Sequence, residues 1–326
     1  MKRSRPRGQS IRPARKRVPK QHVPDPVELV TVLDFVRYAV TRFNAARLVF
    51  AHGTTDPVAE AAFLVGEALQ LPPDRIELFA PAHVTAPERE RILGLIAARI
   101  ATRKPAAYLL GRIYAAGVPF YVDERVIVPR SYLGEIIAGD AFCGGDDGIA
   151  LVDPDAVARV LDLCTGSGAL AVLAAMRFPD AAVDAVDVSA DALAVAARNI
   201  GEHGLDDRIT LFHGDLFAPV DGERYDLIIT NPPYVDEAGM AALPPECRHE
   251  PALALDGGAD GIAVISRIIA QAGHHLTEHG GLLCEVGRGR AAIEARYPEL
   301  PFLWLDTEES SGEVFWLAAA PTGDRA

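Results

Sequence analysis

This sequence of 326 residues has no long apolar run and few cysteines. A run of about 18 apolar residues, as a transmembrane helix requires, does not occur in it. The first residues are basic but no apolar stretch follows them, so a secretory signal peptide is not expected. The four cysteines are far apart and form neither a CxxC pair nor a zinc-ligand spacing. Free thiols in a reducing cytoplasm are therefore predicted.

Acidic residues outnumber basic ones in the chain as a whole, but the N-terminus is basic. The chain has 45 Asp and Glu against 32 Lys and Arg, and nine of the basic residues but no acidic one fall in the first 20 positions. Residues 1–24 are predicted to be a disordered basic tail, which either solvates the chain or contacts nucleic acid or the ribosome. Prolines in the tail disfavour the amphipathic helix of a transit peptide. The acidic remainder argues against a protein that mainly grips duplex DNA.

Three helices are predicted between residues 27 and 104. Apolar residues recur at helical spacing in the first, at Leu29, Leu33, Val36, Ala39 and Val40. The second begins at Asp56, a good N-cap, with Pro57 in the first helical position. The third has Pro87 near its start. These helices predict a small N-terminal helical domain, at residues 25–105.

Residues 108–130 differ in pattern from the helices before them. Aromatic and β-branched residues alternate there, with Gly111 and Gly117 as breakers. The pattern predicts a β-hairpin linker, placed at residues 106–135. The Gly- and Asp-rich residues 139–156 are predicted to be a loop.

Strands alternate with helices from residue 159 onward. The predicted strands, the third including its loop, are 159–163, 181–188, 208–217, 225–230, 280–287, 302–308 and 314–320. The alternation predicts an α/β fold with a parallel sheet and helices on both faces. The last two strands have no helix between them, which predicts an antiparallel pair. A seven-stranded Rossmann-like sheet ending this way resembles the class I S-adenosylmethionine-dependent methyltransferases, with the methyltransferase domain at 136–326.

A glycine-rich turn follows the first strand of this domain. Gly166, Gly168 and Ala171 fit the pattern GxGxxA, which dinucleotide-binding proteins share. Asp187 ends the second strand, where a carboxylate can accept both ribose hydroxyls in either cofactor class. These two features together predict a nucleotide cofactor but do not separate the classes.

The residues around the turn favour a methyltransferase. "DLCTGSG" resembles the methyltransferase signature, which implies that Asp162 faces the methionine amino group, and "GDLF" implies that Asp215 contacts the adenine. The cofactor implied is S-adenosyl-L-methionine. The predicted cofactor-binding residues are Asp162, Cys164, Thr165, Gly166, Ser167, Gly168, Asp187, Asp215, Leu216 and Asn231.

The fourth strand ends in the tetrapeptide Asn231, Pro232, Pro233 and Tyr234. An amide or exocyclic amine nitrogen is a poor nucleophile because its lone pair is delocalised. Two acceptors that hold its N–H bonds can orient it, and the Asn231 side-chain oxygen and the Pro232 carbonyl are suited to this. The prolines fix φ, and Tyr234 offers a flat face to a planar group. Asn231, Pro232 and Tyr234 are the predicted catalytic residues, Pro233 joins them in the substrate site, and no metal is required.

The tetrapeptide resembles that of amino-methyltransferases acting on planar amides and amines. Together with "GRIYAAGVPFYVDERVIVPRS", "VLDLCTGSGALAV" and "LPPECRHEPALALDGGADG", it resembles the PrmB-type protein N(5)-glutamine methyltransferases of the HemK/PrmC-like family. The resemblance implies an N-terminal substrate-recognition domain and a glutamine substrate in large-subunit ribosomal protein L-three. The implied partner is that protein or its assembly particle, with the basic tail available to ribosomal RNA.

Three alternatives stay open at this point. HemK-type enzymes, which methylate the GGQ glutamine of peptide release factors, share the glycine loop and the tetrapeptide, but "VDERVIVPRS" and "CRHEP" resemble the ribosomal branch. The segment "RIYAAGVPF" and Cys247 depart from the family pattern, which puts substrate contacts in doubt. An adenine amino-methyltransferase of nucleic acid should have a basic groove, whereas this chain is acidic. A ribosome-assembly factor without turnover would not need an intact site.

Two further groups of residues have alternative roles. Arg130 either borders the cofactor or substrate mouth or anchors the hairpin in an ion pair. His249 and Glu250 either orient Asn231 or the substrate, or form a structural loop pair.

Three other polar residues are predicted to lie outside the chemistry. His274 and His275 are predicted to be exposed at a helix end, without an acid or cysteine at metal-ligand spacing. Glu285, at the end of the fifth strand, is predicted to be a helix or loop partner rather than a catalyst.

Overall fold

A computed structural model describes residues 28–139, 151–308 and 310–319. The predicted tail at 1–24 and Cys143 lie outside these ranges. Helices come first, a two-stranded hairpin follows, and a seven-stranded sheet makes up the rest. Within the described ranges, no helix is long and apolar enough to cross a membrane.

Five helices precede the hairpin. They are α1 (Val32–Ala46), α2 (Pro57–Ala68), α3 (Ile76–Phe79), α4 (Ala86–Thr102) and α5 (Ala106–Leu110). The start of α2 is as predicted: Asp56 accepts the N–H groups of Val58 and Ala59, and Pro57 occupies the first position. Pro87 lies in the first turn of α4, also as predicted. Periodicity did not predict α3 and α5, because they are about one turn long.

Of the apolar residues predicted for the first helix, Leu29 and Ala39 are buried and Val36 and Val40 pack partly buried against the core, whereas Leu33 does not. The buried residues of the helix are Val32, Phe35, Tyr38, Ala39 and Phe43. Leu33, which was expected in the core, has 59% of its surface exposed. The helix begins only after Thr31, which forms a capping box with Asp34. Aromatic rings bury more area than aliphatic side chains, so the face with three rings turns to the core.

A buried ion pair lies inside the helical domain. Arg99 of α4 is fully buried, and its Nε donates to Oε1 of Glu60 in α2 at 2.6 Å. The other guanidinium nitrogens donate to the carbonyl groups of Val49 and Arg103 at 3.2 and 3.1 Å. The guanidinium therefore holds the connection between α1 and α2 against the end of α4.

The predicted hairpin is present but shorter than the pattern suggested. Strand β1 (Ile113–Ala115) pairs antiparallel with β2 (Val118–Phe120). Ala116 and Gly117 form the two-residue turn, with φ of 47° and 76°. Both residues are left-handed, as the turns that match strand twist require. Residues 121–132 continue without a regular strand or helix.

The sheet confirms the α/β fold. Its strands are β3 (Arg159–Leu163), β4 (Ala182–Asp187), β5 (Ile209–His213), β6 (Tyr225–Thr230), β7 (Leu276–Glu285), β8 (Leu303–Asp306) and β9 (Ser311–Ala318). The order is β5-β4-β3-β6-β7-β9-β8, and β9 pairs antiparallel with both neighbours. The accompanying helices are α6 (Leu133–Ala138), α7 (Ala169–Arg177), α8 (Ala190–Glu202), α9 (Glu237–Ala242), α10 (Ala263–Ala272) and α11 (Arg290–Arg296).

The strand order creates a crevice beside β3. This strand pairs in parallel with β4 on one side and with β6 on the other, so the connections leave it in opposite directions. Open α/β sheets bind ligands at such a reversal, outside the carboxyl ends of the strands. The glycine turn and the Asn-Pro-Pro-Tyr tetrapeptide both lie at this edge, since they follow β3 and β6.

The prediction for His275 is wrong. Its ring is buried and stacks on Phe217 with ring centroids 4.4 Å apart, and Nδ1 lies 3.0 Å from the Glu223 carbonyl oxygen. The helix α10 ends earlier than predicted, and β7 begins directly after His275. The histidine therefore lies in a packed connection rather than on an exposed helix end. His274 is exposed, as predicted.

Gly281→Ala tests the packing of the sheet. A Cβ at Gly281, in β7, would overlap the buried ring of Trp316 in β9. Overpacking of this kind costs about 1–3 kcal/mol, so the free energy of unfolding in urea should fall by that amount. The same substitution at Gly94, exposed in α4 with open space around it, should raise stability by roughly 0.5–1 kcal/mol. Equal stabilities of the two variants would contradict the packing of β7 against β9.

Candidate active site

A cavity of about 340 Å³ lies at the carboxyl ends of the strands. Four predicted motifs converge on it: the glycine turn, the end of β4, the loop after β5 and the tetrapeptide after β6. The predicted residues in its wall are Cys164, Gly166, Asp187, Asp215, Leu216, Asn231 and Pro233. Its volume lies in the range of small-molecule sites.

A smaller cavity of about 50 Å³ adjoins the first. The two share Cys164, Gly166 and Asn231 in their walls. The smaller cavity is also lined by Arg130 and by Ser131, from the segment after the hairpin. Thr165 and Ser167, both predicted site residues, complete its glycine-turn side. Asn231 thus stands where the two cavities meet.

Four residues of the glycine turn and the cavity wall have left-handed backbone. Gly166 and Gly168 have φ of 56° and 78°, and a Cβ at Gly168 would come within 3.1 Å of the Ala196 Cβ. Two wall residues that are not glycine, Cys164 and Leu216, also have positive φ, at 59° and 49°. Such backbone is uncommon outside glycine and concentrates at functional sites.

Asp162 lies beneath the glycine turn and not in the wall of either cavity. It is fully buried, and its Oδ2 accepts the Thr165 hydroxyl at 2.6 Å and the Ala171 N–H at 3.1 Å. Its Oδ1 is buried and has no hydrogen-bond partner in the described residues. Burial raises the pKa of Asp162 to about 7, although the Thr165 and Ala171 bonds oppose the shift. The carboxyl group therefore supports the turn and keeps one acceptor unused.

Asp187 and Asp215 lie in the wall of the larger cavity. The Asp187 carboxylate accepts the N–H groups of Gly166 and Ser189, both at 2.8 Å, and each oxygen keeps acceptor capacity. Burial raises the pKa of Asp187 despite these bonds. Asp215 is half exposed and pairs with Arg267 of α10 at 2.6 Å, across the mouth of the cavity.

The tetrapeptide is held rigidly at the end of β6. The Thr230 hydroxyl donates to the Leu163 carbonyl oxygen at 2.8 Å, which ties the ends of β6 and β3 together. Pro232 is buried, and Pro233 lies in the cavity wall. The Asn231 side chain makes no hydrogen bond within the described part of the chain. Its amide oxygen and nitrogen are therefore available to a ligand.

Tyr234 is enclosed by glycines that the sequence analysis did not single out. A Cβ at Gly287 would lie 2.7 Å from the Tyr234 ring, and one at Gly257 would lie 2.7 Å from the Tyr234 Cα. A Cβ at Gly261 would lie 2.6 Å from its carbonyl oxygen. The close approach explains why "LDGGADG" and "EVGRG" need glycine at these positions.

Glu285 connects Tyr234 to the segment after the hairpin. Its Oε1 accepts the Tyr234 hydroxyl at 2.9 Å, and its Oε2 accepts the Ser131 hydroxyl at 2.6 Å and the Tyr132 N–H at 3.0 Å. Burial raises the pKa of Glu285 above its usual range. Glu285 is a loop partner, as predicted, but the loop that it contacts, after the hairpin, lines the smaller cavity. The signal in the sequence that could have identified Glu285 was an acidic residue at the end of β7, the strand that pairs with β6.

Arg130 and Glu250 form a buried ion pair. The guanidinium donates to the two Glu250 oxygens at 2.5 and 2.9 Å, and the Val128 N–H donates to one of them at 3.1 Å. His52, from the helical domain, lies 3.4 Å from the same carboxylate. Burial opposes ionisation, but the bonds from His52 and Arg130 outweigh it and lower the pKa of Glu250 to about 2. Arg130 is thus both an ion-paired anchor and a wall residue of the smaller cavity.

His249 and Glu250 both contact the N-terminal domain. The His249 Nε2 lies 3.0 Å from the Thr102 carbonyl oxygen, at the end of α4. These contacts are of the kind expected for a structural pair, and a role in orienting Asn231 or the substrate stays a prediction. His52, Cys247 and Glu250 are close enough to hold a metal ion. The Arg130 guanidinium already pairs with both carboxylate oxygens there, which argues for a salt-bridge cluster.

Comparisons with known proteins agree with the motifs. The family model of the methyltransferase small domain matches residues 149–243, and that of the PrmC N-terminal domain matches residues 43–111. A ribosomal protein uL3 glutamine methyltransferase of Bradyrhizobium diazoefficiens is 67% identical to the chain, over 90% of this chain and 92% of the relative. Relatives of the same name from Bordetella pertussis and Burkholderia pseudomallei are 51% and 48% identical. They match 89% and 90% of this chain, and 95% and 96% of their own lengths.

The chain belongs to the ribosomal protein uL3 glutamine methyltransferase family. Membership in this family confirms the resemblance to PrmB-type enzymes and the class I methyltransferase fold. It also favours the ribosomal branch over the release-factor branch. The contacts of individual side chains with cofactor and substrate stay predictions.

The pKa of Asp162 predicts how stability depends on pH. The folded-state pKa is about 7, whereas an unfolded Asp has a pKa of about 4. Between these pH values the folded protein keeps a proton on Asp162 that the unfolded chain has released. The contribution of the protonated carboxyl group to the free energy of unfolding therefore falls as the pH rises, and it is lost once the pH passes about 7. Relative to Asp162→Asn, the wild-type free energy of unfolding without cofactor should fall by roughly 2–3 kcal/mol between about pH 5 and pH 8. Urea titrations at several pH values measure this difference, and a difference that does not vary with pH would contradict it.

Proposed function

We propose that this protein transfers a methyl group from S-adenosylmethionine to the side-chain amide nitrogen of a glutamine in ribosomal protein uL3. The observation that carries the proposal is the Asn231 amide, which is rigidly held and unpaired where the two cavities meet. Family membership supports the reaction, and the names of the relatives support uL3 as the substrate.

The larger cavity fits the nucleoside part of the cofactor. Asp187 offers acceptor capacity for ribose hydroxyls, and Asp215 and Leu216 border the side where the adenine is expected. The glycine turn lets the backbone approach the methionine part closely. The unpaired Oδ1 of Asp162 beneath the turn fits a cationic group such as an ammonium. The cofactor supplies a methyl group made electrophilic by the sulfonium.

The chain's own residues supply orientation, and the proton that the amide nitrogen loses once the methyl group is transferred passes to water. The glutamine amide nitrogen has a delocalised lone pair and two N–H bonds. The Asn231 oxygen and the Pro232 carbonyl accept those bonds, turning the lone pair towards the methyl carbon. Because the prolines and the Thr230 bond fix both acceptors in advance, little reorganisation is needed during the reaction. Tyr234, anchored by Glu285, offers its flat face to the planar amide group.

The function is tested by a transfer assay with three acceptors. Purified protein and radiolabelled S-adenosylmethionine are mixed with unmethylated uL3, unmethylated release factor or duplex DNA, and mass spectrometry locates the label. Label on a uL3 glutamine is expected. Label on the release factor would keep the chemistry and change the substrate, and label on DNA would contradict the glutamine reaction. Absence of transfer to all three would favour a binding factor without turnover.

Asn231→Ala tests the role of the amide. Removal of the acceptor should abolish methyl transfer, while the cofactor dissociation constant should stay within about tenfold, because the lost contact is to the nucleophile. Asn231→Asp keeps an acceptor oxygen and should retain part of the activity. Single-turnover kinetics and calorimetry measure the two quantities. Wild-type turnover in Asn231→Ala would contradict the proposed role.

A further inference from the structure

One segment touches both the N-terminal helical domain and the wall of the larger cavity. This bridging segment comprises residues 246–256. Glu246, His249 and Glu250 contact the helical domain, and Pro251, Leu253, Ala254 and Asp256 border the cavity. This double role makes the segment a candidate for coupling the two parts of the protein.

The first half of the bridging segment is anchored by Glu246. Its side chain is fully buried, and Oε1 accepts the Val49 N–H at 3.0 Å and pairs with Arg103 at 2.5 Å. His249 and Glu250 add contacts to Thr102 and His52. The anchor points belong to the connection after α1 and to the end of α4.

These anchor points are themselves braced by the core of the helical domain. The buried Arg99 donates to the carbonyl groups of Val49 and Arg103, and it is fixed by Glu60. Arg103 also donates to Arg47 at 2.9 Å. A movement of the helical domain would therefore displace Glu246, rather than being absorbed by flexible side chains.

The second half of the bridging segment reaches the reaction site. Pro251, Leu253, Ala254 and Asp256 line the larger cavity. The Leu255 carbonyl accepts the N–H of Val235, the residue that follows the tetrapeptide, at 2.8 Å. The Gly257 N–H returns to the Val235 carbonyl at 2.8 Å. The same segment thus ends against both the cavity and the backbone of Val235, which follows Tyr234.

The contacts of Glu246 are better suited to fixing the relative orientation of the helical domain and the sheet than to holding the two together. The second oxygen of Glu246 is buried without a partner in the described residues. Burying a charged group costs free energy, and an apolar contact would hold two domains together equally well. A buried carboxylate bonded to both an N–H and a guanidinium permits one relative orientation, because other orientations leave the charges unpaired.

We propose that Glu246 is a positioning residue, which sets the orientation of the helical domain relative to Asn231. This inference rests on the proposed function. A glutamine carried by a folded protein must reach Asn231 while its protein is held by surfaces elsewhere on the enzyme. Glu246 touches neither cavity, so it acts through the bridging segment.

The test compares a folded acceptor with a short one. Glu246→Gln keeps an acceptor for Val49 but loses the ion pair with Arg103. The kcat/KM for folded, unmethylated uL3 should fall by about tenfold or more, since misorientation of a bound substrate has effects of this size. The kcat/KM for a short peptide around the same glutamine should stay within about twofold. An equal fall for both acceptors, or no fall for uL3, would overturn the proposal.

Two further variants separate positioning from stability. Arg103→Gln removes the same ion pair from the helical domain and should give the same difference between uL3 and peptide. Asp184→Asn removes a carboxylate that pairs with Arg159 and the Tyr225 hydroxyl, at 3.0 and 2.8 Å, inside the sheet. It should lower stability but affect the two acceptors equally. A selective loss with uL3 in Asp184→Asn would also overturn the proposal.

Hydrogen exchange tests the coupling without turnover. The Val49 N–H donates directly to Glu246, so its exchange rate reports on the anchor. Saturating S-adenosylmethionine, which contacts the cavity end of the bridging segment, should slow this exchange by about threefold or more in the wild type, but not in Glu246→Gln. An unchanged exchange rate in the wild type would overturn the proposal for Glu246, whether or not uL3 is the substrate. A slowed exchange rate together with no methyl transfer to uL3 would contradict only the proposed function.

Discussion

The site depends on the fixed position of the backbone at the end of β6. A side-chain amide can orient another amide only when its own position does not change. Thr230 ties this strand end to Leu163, the prolines restrict φ, and glycines at 257, 261 and 287 allow the neighbouring chain to close around Tyr234. With the backbone held in this way, Asn231 can be left without a partner of its own. In the proposed mechanism, alignment of the substrate amide would depend on this packing around Asn231.

Buried carboxyl groups support the site in three different ways. Glu250 is fully paired, and its pKa is low. Glu285 is bonded to hydroxyl and N–H groups, and burial still raises its pKa. Asp162 has one satisfied and one unsatisfied oxygen, and burial raises its pKa to about 7. A buried charge is tolerated where partners compensate it, and Asp162 is the least compensated of the three carboxyl groups.

The N-terminal helices and the sheet are connected by ion pairs rather than by a continuous apolar face alone. Arg103 with Glu246, and His52 and Arg130 with Glu250, join three parts of the chain in one region. Such contacts contribute little net stability but penalise wrong orientations. This suits an enzyme whose substrate is another folded protein, because the protein surface and the reacting side chain must be positioned together.

The sequence by itself determined the features that depend on neighbouring residues. The strands, the caps of α2, the glycine turn and the Asn-Pro-Pro-Tyr tetrapeptide follow from local sterics and periodicity, and the motifs identified the family. Only the tertiary structure decided which face of α1 is buried, that His275 stacks on Phe217, and that Glu285 joins Ser131 to Tyr234. Glu285 and Ser131 are 154 positions apart in the chain. A carboxylate in a sequence does not specify its partner, because the partner is chosen by the packing of the whole sheet.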